Sequence, residues 1–206
     1  MSSNQYVRAQ HLEIAPDYFN HESLQSDIKL DFVITRKPDG QIKSIYSDNV
    51  WDFTAYSVAS CKFTFQNHGR HVLFPDNTRP SLINNLREEM KRITFLLMNV
   101  PEIRTMQRRG LRTKIQSFKP TFVFLRKFTM TAANLDISLN EAAGNKQFYR
   151  ALCSATLNLA PNKIGELVNL ILQLRALNEL GYKGVPAIIS EENYEQFFQL
   201  ASGIKK

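Results

Sequence analysis

Apolar and polar residues follow two different patterns along this chain, and the change comes between residues 75 and 80. In the first part they alternate with a period of two, as in Ile28–Ile34 and Cys61–Gln66, and this alternation predicts strands. A Pro-Asp-Gly sequence after the first of these runs has the residues of a tight turn. Residues 28–46 are therefore predicted to form a β-hairpin, and Trp51–Tyr56 a further short element.

After this change, apolar residues recur every three or four positions, which is the spacing of one helix face. Pro80 fits the first turn of the first helix, with Asn77 or Thr78 as its cap and Pro101 as its end. The apolar stripe of this helix consists of Leu82, Leu86, Met90, Ile93 and Leu97. Later helices are predicted at about residues 102–109, 111–133, 139–158, 161–181 and 194–202.

Three of the later helices carry signals of their own. Pro120 predicts an interruption or kink within the helix at 111–133. Ser138 with Glu141 forms the motif of a capping box at the start of the next helix. Gly181 is suited to the end of the helix that follows.

The patterns together predict an α+β protein, with a small antiparallel β region at residues 1–78 and a C-terminal helical bundle at residues 79–206. Apolar residues make up 43% of the chain and charged residues 22%, a balance that excludes wholesale disorder. The longest apolar run, Phe95–Met98, is too short to span a membrane. The start has no apolar signal-peptide core, so we expect a cytoplasmic protein that begins at its native Met1.

The positive charge is concentrated in one stretch. The whole chain has a net charge of +7, but residues 79–127 carry 12 Lys and Arg against 3 Asp and Glu, a net +9. Residues 1–78 have a net −2 and residues 128–206 a net 0. A block of one sign indicates a polyanionic partner, because a merely solvated surface favours interspersed signs. We therefore predict double-stranded DNA as the partner and these residues as its contacts: Arg87, Lys91, Arg104, Arg108, Arg109, Arg112, Lys114, Lys119, Arg126 and Lys127.

Other interpretations of the same residues stay open. The basic stretch could be a solvated face, or it could bind an acidic membrane surface. Four phenylalanines interleaved with it have spacings that favour a core stripe over base stacking: Phe118, Phe122, Phe124 and Phe128. A second aromatic group is expected to form a small core under the β region: Tyr46, Trp51, Phe53 and Tyr56.

Few residues offer catalytic or metal chemistry. His68 and His71 are three apart, a spacing that places side chains on opposite faces of a strand, so we predict a turn and no metal site. Cys61 and Cys153 lie far apart, and the chain has no phosphate-binding or dinucleotide-binding glycine motif. We expect no cofactor, no small-molecule substrate and no catalytic residue. A small enzyme built on His11, Asp17 and His21 is the weakest alternative.

Four stretches of the helical region carry a family resemblance: Ser81–Arg87, Phe118–Phe128, Leu135–Glu141 and Lys163–Gly181. Through them, residues 79–203 resemble the core-binding (SAM-like) domain of tyrosine recombinases, the phage-integrase family. The resemblance implies a module that clamps duplex DNA and associates with further copies on it. The catalytic Arg, His, Arg and Tyr of that family belong to a separate C-terminal domain, so the resemblance implies that this chain is not catalytic by itself. The β-rich residues 1–78 have no clear counterpart.

One alternative from a different functional class remains. The apolar helix around Leu170 could pack on a partner protein, which would make the chain a non-enzymatic adaptor with an incidental basic face. A phosphate binder loses affinity steeply as salt rises, and an apolar adaptor does not.

Overall fold

The computed structural model describes residues 27–55, 61–100, 103, 111–142, 145–156, 161–182 and 185 of the 206-residue chain. Within these ranges four short strands come first: β1 (Val33–Arg36), β2 (Ile42–Ile45), β3 (Val50–Asp52) and β4 (Lys62–Thr64). Five helices follow in the described residues: α1 (Pro80–Asn99), α2 (Leu111–Asn134), α3 (Leu139–Ala142), α4 (Lys146–Thr156) and α5 (Pro161–Glu179). The mixed α/β class is confirmed, and so is the change from strands to helices between residues 75 and 80.

The strands form two antiparallel pairs. β1 and β2 make the predicted hairpin, and Gly40 in its turn has a φ of 87°, which glycine adopts without strain. β3 pairs with β4 so that Trp51 lies opposite Phe63. This pairing confirms the predicted element at Trp51, although Tyr56 lies outside the described residues.

Asp52 joins the two strand pairs. Its backbone N–H donates to Ser44 Oγ of β2 at 2.9 Å, and its carboxylate forms ion pairs with Lys43 at 3.2 Å and Lys62 at 3.4 Å. Thr54 donates to the same carboxylate from both its backbone N–H and its hydroxyl. Burial acts to raise the pKa of the Asp52 carboxyl, but the hydrogen bonds from Thr54 and Lys43 outweigh it and hold the pKa below its ordinary value.

Helix α1 begins and ends where the sequence predicts, and all five residues of its apolar stripe are buried. The predicted cap is wrong. Arg79 occupies the N-cap position without a side-chain hydrogen bond, and the buried hydroxyl of Thr78 has no hydrogen-bond partner. Helix α2 agrees with its predicted bounds, but the interruption predicted near Pro120 is wrong, because the helix continues through this residue.

The helix predicted at 139–158 is two helices. The capping box is confirmed, because the Ser138 N–H donates to Glu141 at 2.7 Å and the Glu141 N–H donates to Ser138 Oγ at 3.1 Å. The helix that it starts, α3, ends at Ala142. Asn145 then caps α4, where its side-chain oxygen accepts the N–H groups of Gln147 and Phe148. An Asn whose side chain accepts the backbone N–H groups two and three residues later favours a new helix start over continuation.

Helix α5 ends as predicted at a glycine. Gly181 has a φ of 78°, and its N–H donates to the Asn178 carbonyl, while Tyr182 N–H donates to the Leu177 carbonyl. These two bonds form a Schellman motif. The helices predicted at 102–109 and 194–202 lie outside the described residues, apart from Ile103, which is helical and buried.

Helix α1 also holds the connection between α2 and α3. The Glu89 carboxylate accepts the N–H groups of Leu139 at 2.8 Å and Asn140 at 3.2 Å. Burial raises the pKa of the Glu89 carboxyl, and these two hydrogen bonds oppose the rise. Arg79 forms an ion pair with Asp136 at 2.9 Å, and Asp136 has a φ of 55° in the tight connection.

Aromatic side chains form the core between the strands and the helices. Phe63 of β4 has ring contacts with Phe118 and Phe122 of α2, at centroid distances of 5.4 Å and 4.6 Å. On the other side of the same core, Phe95 of α1 contacts Phe32 and Tyr46 from the β region. The strands therefore pack on α1 and α2 through one continuous apolar cluster.

None of the helices in the described ranges combines the length and the apolar character that a membrane span requires.

Replacing Phe63 with Ala is expected to lower the free energy of unfolding by about 3–5 kcal/mol, because the side chain is 1% exposed and touches the ring of Phe53, just after β3, and the ring of Phe122 on α2. Val123→Ala on α2 is the matched control, since Val123 is 52% exposed and its truncation is expected to cost about 0.5 kcal/mol or less. Urea unfolding of the three proteins measures both values. Equal losses for the two variants would contradict this account of the core.

Replacing Asp52 with Asn is expected to flatten the acid side of the stability profile. A carboxyl with a lowered folded-state pKa contributes stability above its unfolded pKa of about 3.9, and this contribution is lost as the pH falls through the folded-state value. Urea unfolding from pH 6 down to pH 3 measures the loss. Asp31→Asn, which alters an exposed carboxylate before β1, is the control and should keep the wild-type profile. An Asp52→Asn profile as steep as that of the wild type would contradict the prediction.

Candidate nucleic-acid interface

The ten predicted DNA contacts fall into three groups. Arg104, Arg108 and Arg109 lie outside the described residues. Arg112 and Lys114 belong to the first turn of α2, where the structure describes the backbone and not the side chains. The side chains of the other five are described, and they do not share one exposed face: Arg87, Lys91, Lys119, Arg126 and Lys127.

Lys91 is buried, which corrects its prediction as a DNA contact. Its side chain is only 2% exposed, and its ammonium donates to the Ser47 carbonyl at 2.8 Å and to Glu88 at 3.2 Å. Burial lowers the pKa of Lys91, and the charge of Glu88 acts in the opposite direction. A phosphate cannot reach this ammonium while the segment after β2 stays packed on α1, so Lys91 serves the fold.

Arg126 binds an edge of the second strand pair. Its guanidinium donates to the Thr64 carbonyl of β4 at 2.6 Å. In the β3–β4 register, residues 61, 63 and 65 point their backbone groups toward β3, so Thr64 points its carbonyl away from it. Burial lowers the pKa of the Arg126 guanidinium, which still remains charged at neutral pH. Arg126 therefore satisfies a carbonyl that the sheet leaves without a partner strand.

Arg87 makes a similar connection from α1. Its Nε donates to the Phe65 carbonyl at 3.2 Å, and its guanidinium lies 5.9 Å from the centre of the Phe74 ring. The same side chain donates to Asn84 one turn earlier on the helix. These contacts hold the segment after β4 against α1.

The last two residues are partly buried. Lys127 places its ammonium 5.5 Å from the centre of the Phe124 ring, within the range of a cation–π contact. Lys119 lies near Cys61, where its charge lowers the pKa of a thiol whose pKa burial raises. Burial is the larger effect, so Cys61 stays a neutral thiol and not a reactive thiolate.

The positions of Arg87, Lys91 and Arg126 along their helices show why these three cations point toward the fold. On α1, Arg87 and Lys91 are followed at the same spacing by Phe95, which packs on the β region. On α2, Arg126 continues the line of Phe118 and Phe122, which pack on Phe63. A cation in line with buried aromatic residues lies at the border of that buried face. This is the sequence signal that distinguishes such residues from phosphate contacts.

The four phenylalanines that alternate with the basic residues belong to the core, as their spacing predicts. All four are buried. In the second aromatic group, three of the four residues are buried, and Tyr56 lies outside the described residues. The buried residues are Phe118, Phe122, Phe124, Phe128, Tyr46, Trp51 and Phe53. The described phenylalanines are therefore not presented for base stacking.

Helix α4 carries two cations that are concealed when the net charge of residues 128–206 is taken as a whole, because that sum is 0. Lys146 and Arg150 are exposed and one turn apart, and α4 contains no acidic residue. Residues 142–165 as a whole contain three Lys and Arg and no Asp or Glu. A shorter charge window would have found this segment, because the acids that balance it lie elsewhere in residues 128–206.

The turn predicted at the histidine pair is confirmed. His68 and His71 exchange both backbone hydrogen bonds across a two-residue turn, in which Gly69 has a φ of 54°. As directly opposed residues they place their side chains on one face of this turn. Among the described residues no three His, Cys, Asp or Glu side chains lie close enough together to hold a metal ion.

Helix α5, the basis of the adaptor alternative, uses its apolar residues within this chain. Leu170 is fully buried, and so are Leu167, Ile171, Leu174 and Leu177, while Leu172 is 39% exposed. These side chains belong to the same cluster as the aromatic core.

Comparison of the chain with protein-family models, with curated proteins and with solved structures gives no match.

Replacing Arg126 with Met is expected to lower the free energy of unfolding by about 1–3 kcal/mol, because Met keeps the length of the side chain but leaves the Thr64 carbonyl without its donor. Lys127→Met is the neighbouring control with the same change of charge, and it breaks no hydrogen bond to β4. Urea unfolding at neutral pH compares them. An Arg126→Met protein as stable as the control would show that the bond to Thr64 does not support the fold.

Proposed function

We propose that this chain is a non-catalytic DNA-binding module that holds duplex DNA through the basic segment 104–114. A single observation carries the proposal: these 11 residues contain five Lys and Arg and no Asp or Glu. The structure strengthens the choice of segment, because it assigns Arg87, Lys91 and Arg126 to contacts within the fold. What remains of the positive block is concentrated in this segment.

The arrangement of these charges favours a phosphate partner. Arg104, Arg108 and Arg112 are spaced four apart, and on a helix such like charges repel by about 0.2–0.5 kcal/mol for each pair. Arg112 and Lys114 also stand in the first turn of α2, which contains no acidic residue, and cations are unfavourable at this end of a helix. A bound phosphate relieves both costs.

The proposed mechanism is electrostatic. Each phosphate that a Lys or Arg neutralises releases condensed counterions, and this release supplies affinity without sequence choice. Arg suits the task because its planar guanidinium binds two phosphate oxygens at once. The chain thus holds a duplex in register, and base recognition requires further contacts.

The resemblance of residues 79–203 to the core-binding domain of tyrosine recombinases supports a more specific proposal. In that role, a SAM-like bundle clamps the duplex while a separate catalytic domain cuts and rejoins the strands. Several copies would associate on one DNA molecule. The number of chains bound to one short duplex, measured by analytical ultracentrifugation, tests this association.

Replacing Arg108, Arg109 and Arg112 with Ala is expected to weaken binding to every duplex sequence. The slope of log K against log salt should flatten by up to about 2.7, because each phosphate contact contributes about 0.9 on B-DNA. The control is Lys29→Ala/Arg70→Ala/Lys163→Ala, which removes the same charge from three separate exposed positions. Fluorescence anisotropy over a salt series measures both slopes.

Three outcomes would count against the proposal. A basic-segment variant whose slope equals that of the control would remove residues 104–114 from the interface. A wild-type protein that does not bind duplex DNA at low salt would overturn DNA binding itself. Binding to vesicles that contain anionic lipid, without binding to DNA, would replace DNA with an acidic membrane surface.

A further inference from the structure

We infer that the exposed side of helix α4, formed by Lys146, Arg150 and Ser154, is a second phosphate-contacting surface of the chain. The inference rests on the proposed function and adds residues outside the basic stretch at 79–127. It concerns a face of the described structure that carries cations and no carboxylate.

The register of α4 separates a buried side from this exposed one. Phe148 and Leu152 are buried, and the Phe148 ring lies 6.2 Å from that of Phe128 on α2. Lys146, Arg150 and Ser154 are spaced four apart on the opposite side of the helix, and all three are exposed. No aromatic residue continues their line, in contrast to the inward-pointing cations of α1 and α2.

The charges on this face have no carboxylate on their own helix. α4 contains no acidic residue, and Lys146 and Arg150 repel each other across one turn. The nearest acid before them in the sequence is Glu141, whose carboxylate accepts the Ser138 N–H at 2.7 Å. The exposed cations of α5 differ, because Lys163 pairs with Glu166 at 2.9 Å and Arg175 pairs with Glu179 at 2.7 Å.

The start of α4 is not the binding feature. Asn145 already accepts the N–H groups of Gln147 and Phe148, so two of the free donors at this end are satisfied. The binding groups are the two side chains, together with the Ser154 hydroxyl one turn further along. That hydroxyl donates to the Arg150 carbonyl and keeps its lone pairs for a partner or for water.

This surface adjoins α2. The contact between Phe128 and Phe148 places Lys127 in the turn of α2 that faces the start of α4. Lys127, Lys146 and Arg150 thus lie on two helices that pack on each other. A duplex bound both by the basic segment 104–114 and by α4 would have two separate sets of phosphate contacts, and two separated contacts fix its direction better than one.

The test is the double variant Lys146→Ala/Arg150→Ala, titrated with duplex DNA across a salt series. We expect weaker binding and a slope of log K against log salt that flattens by up to about 1.8, for two phosphate contacts. The control is Lys163→Ala/Arg175→Ala, which removes the same charge from α5, where both cations are paired with carboxylates. Thermal unfolding should show that both variants remain folded, because the altered side chains are not buried.

The outcomes separate this inference from the proposed function. If both double variants change the slope equally, the effect is one of net charge and the inference is wrong. If the α4 variant behaves as the wild type while the Arg108→Ala/Arg109→Ala/Arg112→Ala variant loses affinity, the proposed function stands and the inference fails. If the wild type does not bind duplex DNA, both fail.

Discussion

The packing of strand β4 on helix α2 is the contact on which the described structure depends. β3 and β4 have three residues each, and a two-stranded pair of this length is not stable alone in water. Phe63 and Phe65 supply the missing stability, since their rings contact Phe122 of α2 at 4.6 Å and 5.5 Å. The strands are ordered because helices bury one of their sides.

This packing brings backbone groups of the strands into a partly dry environment, where each carbonyl needs a donor. A two-stranded sheet leaves an outer edge on each strand, and a neighbouring strand usually fills it. Here Arg126 of α2 donates to the outward-pointing Thr64 carbonyl, and Arg87 of α1 donates to the Phe65 carbonyl just beyond the end of β4. Long side chains suit this role because their stems cover apolar surface while their ends bind the carbonyl. The bond to Thr64 covers an edge group that would otherwise attract a further strand.

Much of the fold follows from local sequence signals. The hairpin turn, the apolar stripe of α1 and the terminal glycine of α5 are all set by residues within a few positions of one another. The errors arise where one local preference competes with another. Asn145 starts a second helix inside the predicted long one because its side-chain oxygen accepts the N–H groups of Gln147 and Phe148. This result cannot be obtained from the hydrophobic period alone.

The candidate site was harder to predict because charge indicates a partner without naming it. Arg126 and Arg150 are both arginines on amphipathic helices, yet one binds a strand carbonyl and the other faces solvent. Their neighbours one and two turns away decide the difference. Arg126 follows Phe118 and Phe122, whose burial draws it toward β4, whereas Arg150 stands between Lys146 and Ser154.

The residues one and two turns away are also informative for the basic segment 104–114, on which the proposed function rests. Arg104, Arg108 and Arg112 follow one another at helical spacing, and no aromatic residue falls in their line. Burying three guanidinium groups without carboxylates would cost several kcal/mol for each ion, so we expect these arginines at the surface. Mutual repulsion also makes a bare solvated stripe unfavourable. A polyanion would resolve both difficulties, since it would neutralise charges that stay at the surface.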